Sequence, residues 1–430
     1  MKKIIILLSL LFLFEPLSYS GAKFSAASRN KQRLEKKAGK SAQLKNKPKF
    51  SGELQTFGAV YLEDTGAEDV FGEIRFLPEM SWQTEIGWYF FVQGDFRLDS
   101  TGYASGVFDG VEDNGRWIAN IRQAYAEYSE NFFKLRIGKQ IFDWSVTDTV
   151  SPSDNISPRD WTDVIEWERV GVPAVQLRYG DMTFWELVYV PFATQSKFPC
   201  GRWDYDMPQG LIFGDINEPN DNYDQYALRV GVNVSNWDLG ASYYHGYSYN
   251  PAVGFFPPNK ITAEYIREDV VSLSAVGEIG AGVMFRAEAG YFNQHGDDDF
   301  VQLVVGADRF WNDVFRLTDE FYLLVQYVDE VEVNDISPET FQRYDFRRAF
   351  NRSVMARAQY TFEDTREWSV KLEGSYNFER GDSYIEPSVA WQKGNFKIEA
   401  GIGFAAGPKD TLWGGWRQND RVFVQCSWYF

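Results

Sequence analysis

The chain has 430 residues, 17% of them aromatic, with a mean hydropathy of −0.38 and a formal charge of −18. After the N-terminus no stretch approaches the roughly 18 uninterrupted apolar residues that a spanning helix needs, which excludes a helical membrane protein. The sequence carries no phosphate loop, zinc spacing or nucleic-acid signature, so no nucleic-acid partner is expected.

Taken in chain order, Lys2 and Lys3 precede an apolar run from Ile4 to Phe14, and Ser20-Gly21-Ala22 supplies small residues for cleavage. Residues 1–22 therefore read as a secretory signal peptide. Residues 23–50 follow as a basic arm. Residues 1–50 hold 12 Lys/Arg against 2 Asp/Glu, a net of +10, which leaves −28 on residues 51–430. The arm reads either as a disordered periplasmic segment or as a short helix, near Ser28 to Ala42, that meets a periplasmic partner or enters a pore.

From residue 51 onward the dominant pattern is alternation with period two, the signature of strands. Trp368, Val370, Leu372, Tyr376 and Phe378 share one face, opposite Glu367, Ser369, Lys371, Glu373, Ser375 and Asn377. Val92, Phe96 and Leu98 likewise oppose Gln93, Asp95, Arg97 and Asp99. One apolar and one polar face over about ten residues is the transmembrane β-strand pattern. Candidate strands fall near 52–63, 70–82, 87–99, 116–129, 132–142, 172–180, 182–192, 223–235 and 237–249. They continue at 264–278, 280–292, 297–309, 317–332, 350–362, 366–379, 382–392, 394–405 and 418–430. The expected fold is all-β, a transmembrane antiparallel barrel of about 18 strands over residues 51–430. If the second and thirteenth segments do not form, the count falls to 16. The long links all lie on one side, the outer side when the N-terminus is periplasmic, and the tight links such as Glu130-Asn131 and Gly394-Asn395 lie on the other.

The densest motif is Leu135-Arg136-Ile137-Gly138-Lys139-Gln140-Ile141-Phe142-Asp143-Trp144-Ser145, followed by Ser151-Pro152-Ser153-Asp154-Asn155-Ile156-Ser157-Pro158-Arg159-Asp160. Glu168-Arg169-Val170-Gly171-Val172-Pro173-Ala174-Val175 completes it, and Arg122-Gln123-Ala124-Tyr125 precedes it. Over residues 116–192 this resembles a poorly characterised family of Gram-negative outer-membrane porin-like barrels. Those proteins pair an R-x-G-[RK]-Q-x3-W-G strand end with an N-x-[ST]-P-R-D loop; Ser145 stands where relatives have Gly. The resemblance implies a channel-type barrel, monomeric or weakly oligomeric, and brings no substrate.

Read physically, the motif is a strand entering a long third outer loop, where Pro152, Pro158 and repeated Ser, Asp and Asn favour turns. Alternation directs Arg97, Arg122, Arg136, Gln140, Arg178, Arg229, Arg286 and Arg357 into the lumen, with Glu288, Glu373, Glu386 and Glu399. The loop carries Asp143, Trp144, Asp148, Asp154, Arg159, Asp160, Asp163, Glu166, Glu168 and Arg169. Pairing of loop carboxylates with lumenal guanidiniums would fold the loop inward as a constriction; the same pairs also serve simply to hold the loop.

Acidic stretches at Asp109 to Asp113, Asp215 to Asp224 and Asp297 to Asp299 read as solvated outer loops, with divalent-cation binding beside lipopolysaccharide as the sharper alternative. The two histidines, His245 and His295, sit in no catalytic motif, so neither an enzyme nor a cofactor is expected. Cys200 falls in a loop and Cys426 on the lipid face, which argues against a disulfide. The final strand ends on Trp428 and Phe430, read as the signal for the barrel-assembly machinery. The sequence thus points to an outer-membrane channel for small polar solutes, constricted by the third outer loop. Two alternatives remain: an export conduit for an anionic polysaccharide, and a barrel scaffold for a periplasmic transport or redox partner. Oligomeric state is not readable.

Overall fold

The computed structural model describes residues 47–63, 69–100, 116–162, 164–165, 167–197, 212–217, 224–256, 260–296, 298–316, 318–334, 342–344, 346–362 and 367–430. The signal segment, nearly all of the basic arm, Asp109 to Asp113, Asp163, Glu166, Cys200 and Asp297 lie outside the described residues.

Eighteen antiparallel strands form one closed barrel. They are β1 (Lys49–Tyr61), β2 (Val70–Gln83), β3 (Trp88–Asp99), β4 (Arg116–Glu130), β5 (Phe133–Gln140) and β6 (Val172–Gly180). Then come β7 (Thr183–Val190), β8 (Gln225–Val234), β9 (Trp237–Tyr247), β10 (Arg267–Gly280), β11 (Val283–Gln294) and β12 (Asp299–Asn312). The circuit ends with β13 (Glu320–Asn334), β14 (Ser353–Thr361), β15 (Trp368–Asn377), β16 (Ser383–Lys393), β17 (Phe396–Ala406) and β18 (Arg421–Tyr429). All the expected segments are strands, β2 and β13 included, so the 16-strand alternative falls. The first strand begins at Lys49 and takes the last two residues assigned to the arm.

Closure leaves no unpaired edge, which a hydrocarbon surround requires. β18 pairs with β1 from Glu53↔Tyr429 to Tyr61↔Arg421, and Gly52 and Phe430 exchange backbone bonds of 3.1 Å in both directions. Gly52 is needed there, because a Cβ would stand 2.6 Å from the Leu77 carbonyl and 2.7 Å from the Phe430 ring. At one end five of the eight hairpins turn on two residues, with positive φ at Asn131, Ser235, Ala281 and Gly394, the backbone such tight turns favour. At the other end lie the long loops, three of which contribute to a four-stranded sheet of Ile212–Asn217, Ala252–Phe256, Lys260–Glu264 and Gln342–Tyr344.

The outward face is apolar: Phe96, Leu98, Leu187, Leu273, Leu372 and Val424 are all exposed at mid-strand positions. Aromatic side chains ring both ends, with Trp82, Phe90, Trp368 and Trp428 at the short-turn end and Trp117, Tyr189, Tyr226 and Tyr376 at the long-loop end. A water-soluble protein does not tolerate an apolar belt of this extent; lipid does. Cys426 shares this outward face and is free. Replacing Leu372 by Arg should lower folding stability in lipid vesicles by about 2–4 kcal/mol. Urea titration followed by heat-modifiable gel mobility measures it, and an unchanged midpoint would place Leu372 away from lipid.

Candidate functional site

Residues 141–171, between β5 and β6, run inward rather than over the rim. Three neighbourhoods hold them.

The first is apolar. Phe142, Trp144 and Ile156 pack against inward-facing Val172, Ala174, Val188, Val190, Ala227, Tyr244, Val270, Phe292 and Phe300. The lumen is therefore not polar all round, as strict alternation suggests; on this side the wall and the loop share a dry core. The Trp144 indole N–H donates to Glu186 Oε1 at 2.9 Å, so its polar edge is satisfied.

The second is a single carboxylate on β11. Glu288, 1% exposed, accepts from the backbone N–H groups of Val146 (2.5 Å), Thr147 (2.8 Å) and Ser153 (3.1 Å). It also accepts from the hydroxyls of Thr147 (2.9 Å), Ser151 (2.6 Å) and Ser153 (2.6 Å). Gly290 on the same strand allows this approach, since a Cβ there would lie 2.8 Å from Pro152 Cβ. Beyond this clamp the loop reaches across the barrel. The Asp148 N–H donates to Gln326 Oε1 at 3.1 Å, and its carboxylate meets Arg357 at 3.0 Å.

The third is ionic. The returning chain makes a two-residue ladder, Arg159–Asp160 with Glu168–Arg169. Asp160 meets Arg97 at 3.0 Å and Lys197 at 2.7 Å, while Glu168 meets Arg75 at 2.8 Å and Arg122 at 3.1 Å. Arg75 and Arg97 share Asp95, and within the loop Asp154 holds both Arg159 (2.9 Å) and Arg169 (2.5 Å). Asp143 pairs with Arg169 at 3.0 Å.

The residues singled out from sequence divide accordingly. Arg97 and Arg122 meet the loop's carboxylates; Arg357 meets its tip; Arg286 donates to the Val146 carbonyl at 3.0 Å and pairs with Asp308. Arg229 lies 5.7 Å from the Trp144 ring centroid. Arg136 and Arg178 do not reach the loop: Arg136 pairs with Glu127 and Arg178 lies beside Glu186, each directly opposite on the neighbouring strand. Gln140 has no exposure and donates to the Ala174 carbonyl, under the loop rather than in open lumen. Alternation did not single out Arg75, Glu186, Glu288 or Gln326 as loop contacts. Trp428 and Phe430 lie on the outward face at the short-turn end, their rings 5.3 Å apart. Both histidines meet the carboxylate of Asp269, His245 at 2.7 Å and His295 at 2.8 Å, on the outward side of the long-loop end. Among the described residues no three His, Cys, Asp or Glu gather to hold a metal.

A second apolar cluster closes over the loop. Trp161 and Val164 pack with Tyr61, Ala349, Tyr384, Leu412, Trp413 and Trp416. Trp413 and its neighbours form a short helix, Leu412–Gly415, capped by the Thr411 hydroxyl. Among the described residues a cavity of about 480 Å³ lies on one side of the lumen, between the loop at Asp148, Val164, Ile165 and Trp167 and the wall from β12 to β16. Its lining runs from Phe310, Glu320 and Thr361 near the short turns to Trp413 under the long loops.

The sequence matches no model of a protein family and no curated protein. Among solved structures it is similar to a loop-deletion mutant of OmpT, an outer membrane protein of Vibrio cholerae, at 12% identity over 90% of this chain and 99% of that one, with a TM-score of 0.42. It is also similar to a triple mutant of Rhodopseudomonas blastica porin, at 14% identity over 89% of this chain and 100% of that one, with a TM-score of 0.42. Likeness this distant adds nothing to the reading of individual residues.

Two outcomes follow from the loop's attachment. Glu288→Ala leaves several buried donors unsatisfied, each worth about 1–3 kcal/mol. Amide exchange at residues 146–153 should then accelerate at least about tenfold while the barrel strands stay protected; unchanged exchange would mean that the clamp holds nothing. The second concerns pH. Burial pushes the Asp160 and Glu168 carboxyls up, but Arg97 and Lys197 beside the first, and Arg75 and Arg122 beside the second, outweigh it and hold both below the usual carboxylate range. Such a group stabilises the folded loop above its unfolded pKa of about 4, and that contribution is lost as pH falls through the lower folded value. Amide protection at 158–170 should therefore hold between about pH 8 and pH 5 and fall only in stronger acid.

Proposed function

We propose that the protein is an outer-membrane channel for small polar solutes, with residues 141–171 as its constriction. The observation that carries this reading is the closed barrel whose own loop crosses the lumen and leaves a lined space along β12–β16. The apolar belt and its aromatic borders support the membrane, and the short-turn end then faces the periplasm. The signal segment at 1–22 fits a route through the inner membrane. On this reading the barrel's surroundings are lipid and lipopolysaccharide, and Trp428 and Phe430 address it to the assembly machinery. Arg97, Arg122, Arg286 and Arg357 act through the loop. Arg136 and Arg178 line the wall away from it, and Arg229 lies beside the loop at Trp144. The carbon stem and carboxylate of Asp148, with Trp167, set the width.

Catalysis has little to work with: both histidines are turned to the outward face, away from the lumen. An export conduit for an anionic polysaccharide gains no support from the cavity, whose charged lining is Arg357 and Lys371 against Asp148, Glu320 and Glu373. A polyanion would meet more negative charge than positive there. The scaffold reading rests on the basic arm and draws nothing from the described residues.

In planar bilayers the purified barrel should conduct ions, and Glu288→Ala should raise single-channel conductance by releasing the loop from the wall. Liposome swelling with graded neutral solutes should show a sharp size cutoff. A barrel that passes no ions in either form would refute the channel, and identical conductances would refute the constriction.

A further inference from the structure

The cavity beside the loop has a lining whose parts select one kind of solute. Six aromatic side chains contribute: Trp167, Phe310, Tyr322, Phe350, Tyr384 and Trp413. Between them lie charges that are already matched. Arg357 pairs with Asp148 at 3.0 Å and with Glu373 at 2.8 Å, and Lys371 pairs with Glu373 at 2.6 Å. One polar group stands apart. Gln326 is 1% exposed and lines the cavity; its carbonyl oxygen accepts from Asp148, yet its amide nitrogen donates to no group among the described residues. It is pressed into place, since its Cγ lies 2.5 Å from where a Cβ on Gly306 would stand. A buried donor without an acceptor costs about as much as a lost hydrogen bond, so a small turn of this amide toward the cavity to meet an oxygen of a solute would be favourable.

We infer that this cavity is a binding site for a small uncharged saccharide, which makes the passage a selective one. The inference rests on the channel reading and names its solute class. A charged solute would have to compete with the Arg357, Lys371, Asp148 and Glu373 pairs, which already satisfy one another. A purely apolar solute would strand those groups and leave the Gln326 nitrogen unpaired. A sugar presents apolar C–H faces to aromatic rings and hydroxyls that both donate and accept, so it can bond to paired charges without separating them. The volume of about 480 Å³ falls within the range of pockets that enclose small molecules. Sites that hydrogen-bond hydroxyl groups also reject analogues that lack them.

The test uses the full barrel, refolded in detergent, with maltose as the probe and serine and gluconate as comparators. Tryptophan fluorescence follows binding directly, without requiring transport, and planar-bilayer current is recorded on the same preparation. Maltose should give a saturable fluorescence change in the millimolar range and a matching saturable block of current, with serine and gluconate producing neither. Gln326→Leu and Trp167→Leu, each checked for heat-modifiable mobility, should weaken maltose binding at least about fivefold. Non-saturable maltose signals, equal responses to serine or gluconate, or wild-type affinity in both folded variants would overturn the saccharide site. Saturable maltose fluorescence from a barrel that passes no current would uphold the site and refute the channel reading instead.

Discussion

A long segment without regular secondary structure can enter a barrel only if its backbone donors find acceptors there, because an unpaired buried N–H costs several kcal/mol. Glu288 solves that problem at the loop's inner turn with one side chain. Its two oxygens take three backbone N–H groups and three hydroxyls from residues 146–153. Serine and threonine are what this arrangement requires, since each hydroxyl reaches the carboxylate beside its own or a neighbouring amide.

The interior therefore has two characters. From β6 to β12 the wall turns Val172, Val188, Val190, Val270, Phe292 and Phe300 toward the loop and forms a dry core with Trp144. From β13 to β16 the wall turns Gln326, Arg357, Lys371 and Glu373 toward open space. The loop is apolar where it meets the first and acidic where Asp148 meets the second. An inserted segment that divides a lumen has to be two-faced in this way.

Strand number and order were legible because lipid imposes an alternation that no other solvent demands, and because link lengths must keep parity from one hairpin to the next. The loop's carboxylates were legible as charges, but their partners were not. Arg136 was expected to reach the loop and instead meets Glu127: a turn at Glu130-Asn131 would set Glu127 opposite Lys134, and the turn one residue later, at Asn131-Phe132, sets it opposite Arg136. The turn at Asp181-Met182, with Gly180 opposite Phe184, likewise sets Arg178 opposite Glu186, whereas the longer link between β14 and β15 left the pairing of Arg357 with Glu373 unread. The dry core also left a trace, since Leu187-Val188-Tyr189-Val190 is apolar on both faces and so must be covered on both. Glu288 left none. Its contacts join residues more than a hundred positions apart, and nothing in the alternation of β11 separates it from any other lumenal carboxylate.

The attachments of the loop differ in how they would fail. Asp160 and Glu168 are held by Arg75, Arg97, Arg122 and Lys197, and the Arg97–Asp160 pair is nearly free of solvent, so added salt screens it little. The Glu288 clamp gathers six donors on one buried carboxylate, so the loss of any one of them leaves five in place. Asp148 with Arg357 is different. Both side chains are partly exposed, and Arg357 retains Glu373 when Asp148 leaves. On the proposed channel reading, a widening of the passage would begin at the Asp148 tip, because its partly exposed pair with Arg357 is held less firmly than the buried Arg97–Asp160 network.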